Sequence, residues 1–121
     1  MLELKNVTKT FGSVKALEDL TLTVPQGCVY GLVGPNGAGK STAIRLLTGV
    51  YRPDSGTVTL EGLPVWENPR VKSHMVCISD DVFYFPAATL EEMGRFYRGL
   101  YPKFDESLFR RLNDVFQLNG K

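Results

Sequence analysis

The sequence is short of cysteine, histidine and tryptophan, carries almost no net charge, and has no long apolar run. Each shortage removes a class of protein. Two cysteines allow at most one bridge, so no disulfide framework holds this fold. Cys28 and Cys77 each sit in a short apolar run, and buried, reduced thiols are expected. A net charge of +1 spreads no basic field toward nucleic acid and leaves no acidic tail. No nucleic-acid partner is therefore expected. No stretch approaches the roughly 20 apolar residues that span a bilayer. The opening Met-Leu-Glu-Leu-Lys lacks the basic and apolar segments of a secretory leader. The expectation is a soluble, cytoplasmic chain that reaches a membrane only through a partner.

What is present suits one compact domain of 121 residues, 43% of them apolar. The first part reads as short strands. Leu2, Leu4 and Val7 roughly alternate with polar residues, and Leu20, Leu22 and Val24 alternate strictly with Thr21 and Thr23. After the turn Pro25-Gln26-Gly27, the run Cys28 to Val33 reads as a buried strand. Lys40 to Thr48 reads as a helix ending near Gly49, and Arg52 to Gly56 as a turn before a strand over 57–61. Met75 to Ser79 reads as one more buried strand, with His74 at its solvent edge.

The last third changes period. Thr89-Leu90-Glu91-Glu92 has the form of a capping box, and Leu90, Met93, Phe96, Tyr97 and Leu100 then recur on one helical face. Asp105 can cap a second helix with Leu108, Phe109, Leu112, Val115 and Phe116 as its apolar face and Gly120 near its end. Arg95, Arg98, Arg110 and Arg111 read as solvated helix faces. No repeat or low-complexity tract interrupts the chain.

One motif carries chemistry. Gly34-Pro35-Asn36-Gly37-Ala38-Gly39-Lys40-Ser41 fits the phosphate-binding pattern G-x-x-x-x-G-K-[ST], between an expected strand and an expected helix. Glycines let successive amides curl toward one anion, and the helix N-terminus adds unpaired N–H groups and its positive dipole end. Lys40 supplies a mobile charge for the outer phosphates, Ser41 a hydroxyl for Mg²⁺, and Thr42 a hydroxyl for an inner phosphate. A chance match in a chain this long is on the order of a fraction of a percent. ATP or a close nucleotide is the expected ligand, gripped by Asn36, Gly37, Ala38, Gly39, Lys40, Ser41 and Thr42.

Residues 34–42 resemble the Walker A segment of ATP-binding cassette (ABC) ATPases. Phe11 to Leu17 is similar to the family's aromatic loop, Val24-Pro25-Gln26-Gly27 to its turn before the P-loop strand, and Tyr51 to Val58 to its segment after the P-loop helix. The likeness is nearly continuous over residues 1–62 and looser through Phe85-Pro86 and Thr89 to Glu92. The stretch Phe96 to Asp105 is most similar to subunits paired with ABC-2-type exporters. The resemblance implies an α/β fold: a P-loop NTPase core with a β-rich N-terminal portion over 1–80, then the start of a helical subdomain over 81–121, with the C-terminal half missing.

It also implies roles. Phe11 takes the place where the family stacks an aromatic ring on adenine, worth roughly 1–3 kcal/mol, with Val14 and Ala16 beside the purine. A core phenylalanine is the other reading. Where the family has a glutamine that reaches Mg²⁺ and the attacking water, this chain has Asp80, followed by Asp81. Asp80 joins Ser41 as an expected metal residue, and a pair of loop caps is the alternative. The aromatic run over 82–86 falls where the family meets a membrane subunit, or else in subdomain core. Signature, Walker B and switch motifs do not occur within these residues. Beyond Lys40 no catalytic residue is therefore expected, and the chain alone should be inactive.

The expected function is ATP binding in a transporter's motor subunit, with ATP and Mg²⁺ held between two such subunits and hydrolysis driving a transmembrane permease partner. A soluble, non-transport ABC ATPase is the first rival. An unrelated P-loop kinase is the second, though it leaves Phe11 and residues 51–62 unexplained.

Overall fold

The computed structural model describes residues 1–79 and 83–118. Expectations resting on Asp80, Asp81, Val82 and Gly120 lie outside the described residues. Contacts divide the chain into two units, Met1–Cys77 and Ile78–Lys121.

The first unit is built on an antiparallel sheet of order β2-β1-β3-β4: β1 Leu2–Phe11, β2 Val14–Val24, β3 Ser55–Leu60 and β4 Leu63–Pro64. The rough alternation in β1 has a structural cause. Leu4 and Val7 are both fully buried although three residues apart, because an extra residue is taken up between them. Leu4 pairs with Leu22 and Val7 with Leu20, three residues on β1 against two on β2. Asn6 adopts a left-handed φ of 50° there, Asp19 of β2 one of 48°, and Asn6 Nδ2 donates to Asp19 Oδ1 at 2.9 Å. The same irregularity recurs against β3, where Gly56 has φ 80° and a Cβ would lie 2.3 Å from the Asn6 carbonyl oxygen. Only glycine fits that approach.

Helix α1, Lys40–Leu47, lays Ala43, Leu46 and Leu47 onto Leu4, Val7, Leu17 and Val58 of the sheet. Val65 and Val71 complete this core, the latter from the short helix α2, Pro69–Lys72, capped by Asn68. Lys72 Nζ donates to the Gly49 carbonyl at 2.8 Å and so ties α2 to the end of α1.

Two expected strands are absent. Residues 28–33 and 75–79 take no regular structure, and Val29, Val33, Val76 and Ile78 are exposed. A strand buried on both faces needs hydrogen-bonded neighbours along its edges and layers above and below. Among the described residues neither segment has a strand beside it. The same cause overturns the expected burial of the thiols: Cys28 and Cys77 are free and exposed.

The second unit contains α3, Leu90–Leu100, and α4, Glu106–Val115. The capping box at α3 is complete: the Glu92 amide donates to Thr89 Oγ1, and the Thr89 amide to Glu92 Oε2 at 2.8 Å. The Thr89 amide, and then the Thr89 hydroxyl at 3.1 Å, hold the Glu92 carboxyl below its ordinary range. Asp105 caps α4 through the Leu108 amide at 2.9 Å. Phe83, Phe85 and Phe96 pack edge to face or tilted at 5.1–6.2 Å, which gathers that part of the aromatic run onto α3. Arg98 and Arg110 remain exposed and share Glu106 at 2.8 and 2.7 Å.

Candidate nucleotide site

Gly34 to Gly39 forms a loop that leads directly into α1. Gly39 is the N-cap at φ 82° and provides no side-chain acceptor, so the first amides of α1 are left without the usual capping partner. Uncapped amides at a helix start form an anion site by dipole and geometry together. Lys40 opens the helix and turns its ammonium back over the loop, where Nζ donates to the carbonyls of Gly34 and Pro35 at 2.7 Å each. Ser41 and Thr42 follow in the first turn, Ser41 exposed and Thr42 half-buried. Asn36, Gly37 and Ala38 form the exposed crown of the loop, braced by the Ala38 amide on the Pro35 carbonyl at 3.2 Å.

The loop rests on β2. A Cβ on Gly39 would lie 2.5 Å from the Ala16 carbonyl oxygen and 2.6 Å from Leu17 Cδ2. This contact brings Ala16 against the glycine loop. Phe11 and Val14 pair at the hairpin end where β1 turns into β2, with Phe11 42% and Val14 63% exposed. The fold therefore places an exposed ring at a strand end of the same unit in which the loop lies on β2. The expected buried strand ahead of the loop is missing, as described above.

Sequence reasoning did not single out the groups around Phe11. Tyr51 meets it at 5.2 Å between ring centroids with planes 65° apart, and Lys9 Nζ lies over the ring at 5.4 Å. Asp54 takes the Lys9 ammonium at 2.8 Å and the Thr10 amide at 2.7 Å, while its own amide donates to the Thr8 carbonyl. Lys9 first, then the Thr10 amide, hold the Asp54 carboxyl below its ordinary range. Arg45 of α1 donates to Tyr51 Oη at 3.3 Å. No spacing announces this cluster, since Lys9 and Asp54 are 45 residues apart and meet through the β1–β3 register.

The donor set suits a nucleoside phosphate: amides and an ammonium for phosphate oxygens, with an exposed aromatic ring for a base. The fit to a metal is narrower. Among the described residues no group of three or more His, Cys, Asp or Glu side chains gathers to hold an ion. The Ser41 hydroxyl is a single oxygen ligand. That matches a Mg²⁺ held mostly by phosphate oxygens and water. Among the described residues no helix is long and apolar enough to cross a membrane.

Residues 17–119 match the family model described as ABC transporter. The SkfA peptide export ATP-binding protein SkfE of Bacillus subtilis is 36% identical over 119 residues, 95% of this chain and 49% of that protein. A ribose import ATP-binding protein of Pseudomonas putida, RbsA, is 53% identical over 64 residues, 53% of this chain and 12% of its own length. A solved ATP-binding subunit of an ABC transporter superposes with a TM-score of 0.81 at 30% identity, covering 97% of this chain and 50% of the solved one. The chain thus spans half or less of the length of these relatives. A P-loop on an uncapped helix, the antiparallel sheet beside it and the match over residues 17–119 lead to one assignment: the chain belongs to the ABC transporter family.

Proposed function

We propose that this chain binds ATP as the N-terminal portion of an ABC transporter motor subunit. The observation that carries the reading is the start of α1: first-turn amides with no side-chain cap, and the Lys40 ammonium folded over the loop on two carbonyls at 2.7 Å. Neutral carbonyl acceptors are readily exchanged for phosphate oxygens, which form shorter, stronger charge-assisted bonds with an ammonium. Asn36 to Gly39 supply loop amides, and Thr42 a further hydroxyl. Phe11 stacks on the base, with Val14 and Ala16 beside it. Ser41 and Asp80 would hold Mg²⁺, which when bound offsets phosphate charge.

In the whole protein, two such subunits would enclose ATP, and hydrolysis would drive a transmembrane permease partner from the cytoplasmic face of the membrane. Residues 1–80 then serve as the P-loop core with its β portion, and 81–121 as the start of the helical subdomain. Within the family, the stretch Phe96 to Asp105 supports the ABC-2 exporter group, and the likeness to SkfE, a protein named for peptide export, supports export. Relatives named for import match as well, so direct measurement of transport direction decides that finer reading.

The direct test is ATP binding by calorimetry for the wild type and Lys40→Ala, after circular dichroism has shown both equally folded. Loss of hydrogen bonds to a charged group should weaken ATP by about 1.5–3 kcal/mol, roughly 10- to 150-fold. Equal affinities would refute the phosphate-site assignment.

A further inference from the structure

We propose that Tyr51 is a positioning residue for nucleotide base recognition: it braces the ring of Phe11 and fixes it relative to the phosphate-binding end of α1. The proposal rests on the base-stacking role of Phe11 given above.

Phe11 ends a strand, is 42% exposed, and is followed by the turn at Gly12 and Ser13. A ring so placed would lose rotamer freedom on meeting a base unless something already held it, and freedom lost on binding weakens affinity. Tyr51 provides the hold, at 5.2 Å and 65°, within the favoured range for aromatic pairs. Its own position is fixed from two sides. Toward α1, the Val50 and Tyr51 amides both donate to the Arg45 carbonyl, at 2.8 and 3.0 Å. The Arg45 guanidinium also lies 5.7 Å over the Tyr51 ring and donates to its hydroxyl. Toward β1, the turn that follows Tyr51 is fastened by Asp54 to Thr8, Lys9 and Thr10, the three residues just ahead of Phe11.

The consequence is geometric. Arg45 belongs to the same eight-residue helix whose first residue is Lys40. Helix, Tyr51 and Phe11 therefore form a continuous link between the phosphate contacts and the base contact. The link holds the two contacts at a fixed separation. It acts on the base, and it contributes nothing to a ligand that has none.

The test compares ATP with inorganic tripolyphosphate, by calorimetry on the full chain, for the wild type, Phe11→Ala, Tyr51→Ala, Tyr51→Leu, Tyr51→Phe and the Phe11→Ala/Tyr51→Ala double variant. Circular dichroism establishes folding first, and Tyr51→Leu keeps apolar bulk if Tyr51→Ala does not fold. Tyr51→Ala and Tyr51→Leu should each weaken ATP by about 2- to 12-fold, the range of an aromatic pair, and leave tripolyphosphate unchanged. Tyr51→Phe should stay within about twofold of wild type, because the ring contact survives. In the Phe11→Ala background, Tyr51→Ala should make no further difference.

Equal losses for both ligands would reduce Tyr51 to a folding residue and overturn the proposal. Unchanged ATP affinity in Tyr51→Ala and Tyr51→Leu, with a loss in Phe11→Ala, would overturn the brace and leave base stacking standing. Unchanged ATP affinity in Phe11→Ala would overturn both.

Discussion

Two glycines of the phosphate loop have nearly the same backbone conformation and different surroundings, and substituting each separates conformation from contact. Gly37 has φ 83° with open space where a Cβ would stand; Gly39 has φ 82° with the Ala16 carbonyl oxygen at 2.5 Å and Leu17 at 2.6 Å. Placing an alanine in the left-handed region costs about 1–2 kcal/mol at either position. At Gly39 the methyl also overlaps backbone, which cannot rotate away, and overpacking adds about 1–3 kcal/mol. Gly39→Ala should therefore destabilise the first unit by about 2–5 kcal/mol in total, and Gly37→Ala by about 1–2. Trp66 is the sole tryptophan and lies in that unit, so its fluorescence during urea unfolding reports the difference. ATP affinity, measured alongside, should fall further in Gly39→Ala because the loop must lift from β2. Midpoints within experimental error of each other would mean that the loop does not rest on β2, and the placement of Ala16 beside the phosphate site would fail with it.

Three further outcomes are expected. Thr89→Ala should cost about 0.5–2 kcal/mol of stability in the second unit through the lost N-cap, read as reduced helicity by circular dichroism. The Glu92 half of that box is pH-dependent: its carboxyl is held below the ordinary 4.5 by the Thr89 amide and then the Thr89 hydroxyl, so it stabilises fully above 4.5 and is lost as pH falls through its folded value. Glu92→Gln should flatten that acid limb, and an unchanged limb would exclude the box as its source. The 121-residue chain on its own should release phosphate from ATP no faster than its Lys40→Ala variant, because phosphoryl transfer depends almost entirely on positioning and charge stabilisation, and no Walker B or signature segment lies within these residues. Steady-state turnover that Lys40→Ala abolishes would contradict that.

What the sequence revealed was mostly what is local. The capping box at Thr89 and the Asp105 cap are set within a few residues and formed as read, whereas the apolar face of α4 stays exposed at Leu108, Leu112 and Val115, and Phe116 lies just past the helix end. The phosphate loop was legible because its donors are consecutive, and its helix follows where the pattern requires. The runs Cys28–Val33 and Met75–Ser79 were read as buried strands from apolar content alone, and that content describes a place in a larger sheet. A strand of this kind is stabilised by neighbours, and the chain spans half of the solved subunit on which it superposes. Tyr51, Lys9 and Asp54 were missed for a related reason: their meeting with Phe11 is a matter of register between β1 and β3, which no spacing along the chain records.

The extra residue in β1 has a consequence for how this strand tolerates changes of length. Leu4 pairs with Leu22 and Val7 with Leu20, while Lys5 pairs with Thr57 and Thr8 with Ser55, so three steps along β1 face two on either neighbour. Deleting Asn6 would remove the surplus that both ladders share and leave Val7 on the face it now occupies, while the two further shifts against β2, at Val7/Lys9 and Lys9/Thr10, would remain. Gly56 receives the Asn6 carbonyl that this surplus displaces. Homologous chains one residue shorter here are expected to have lost the surplus at the bulge, and to be free to carry a side chain where this one requires glycine.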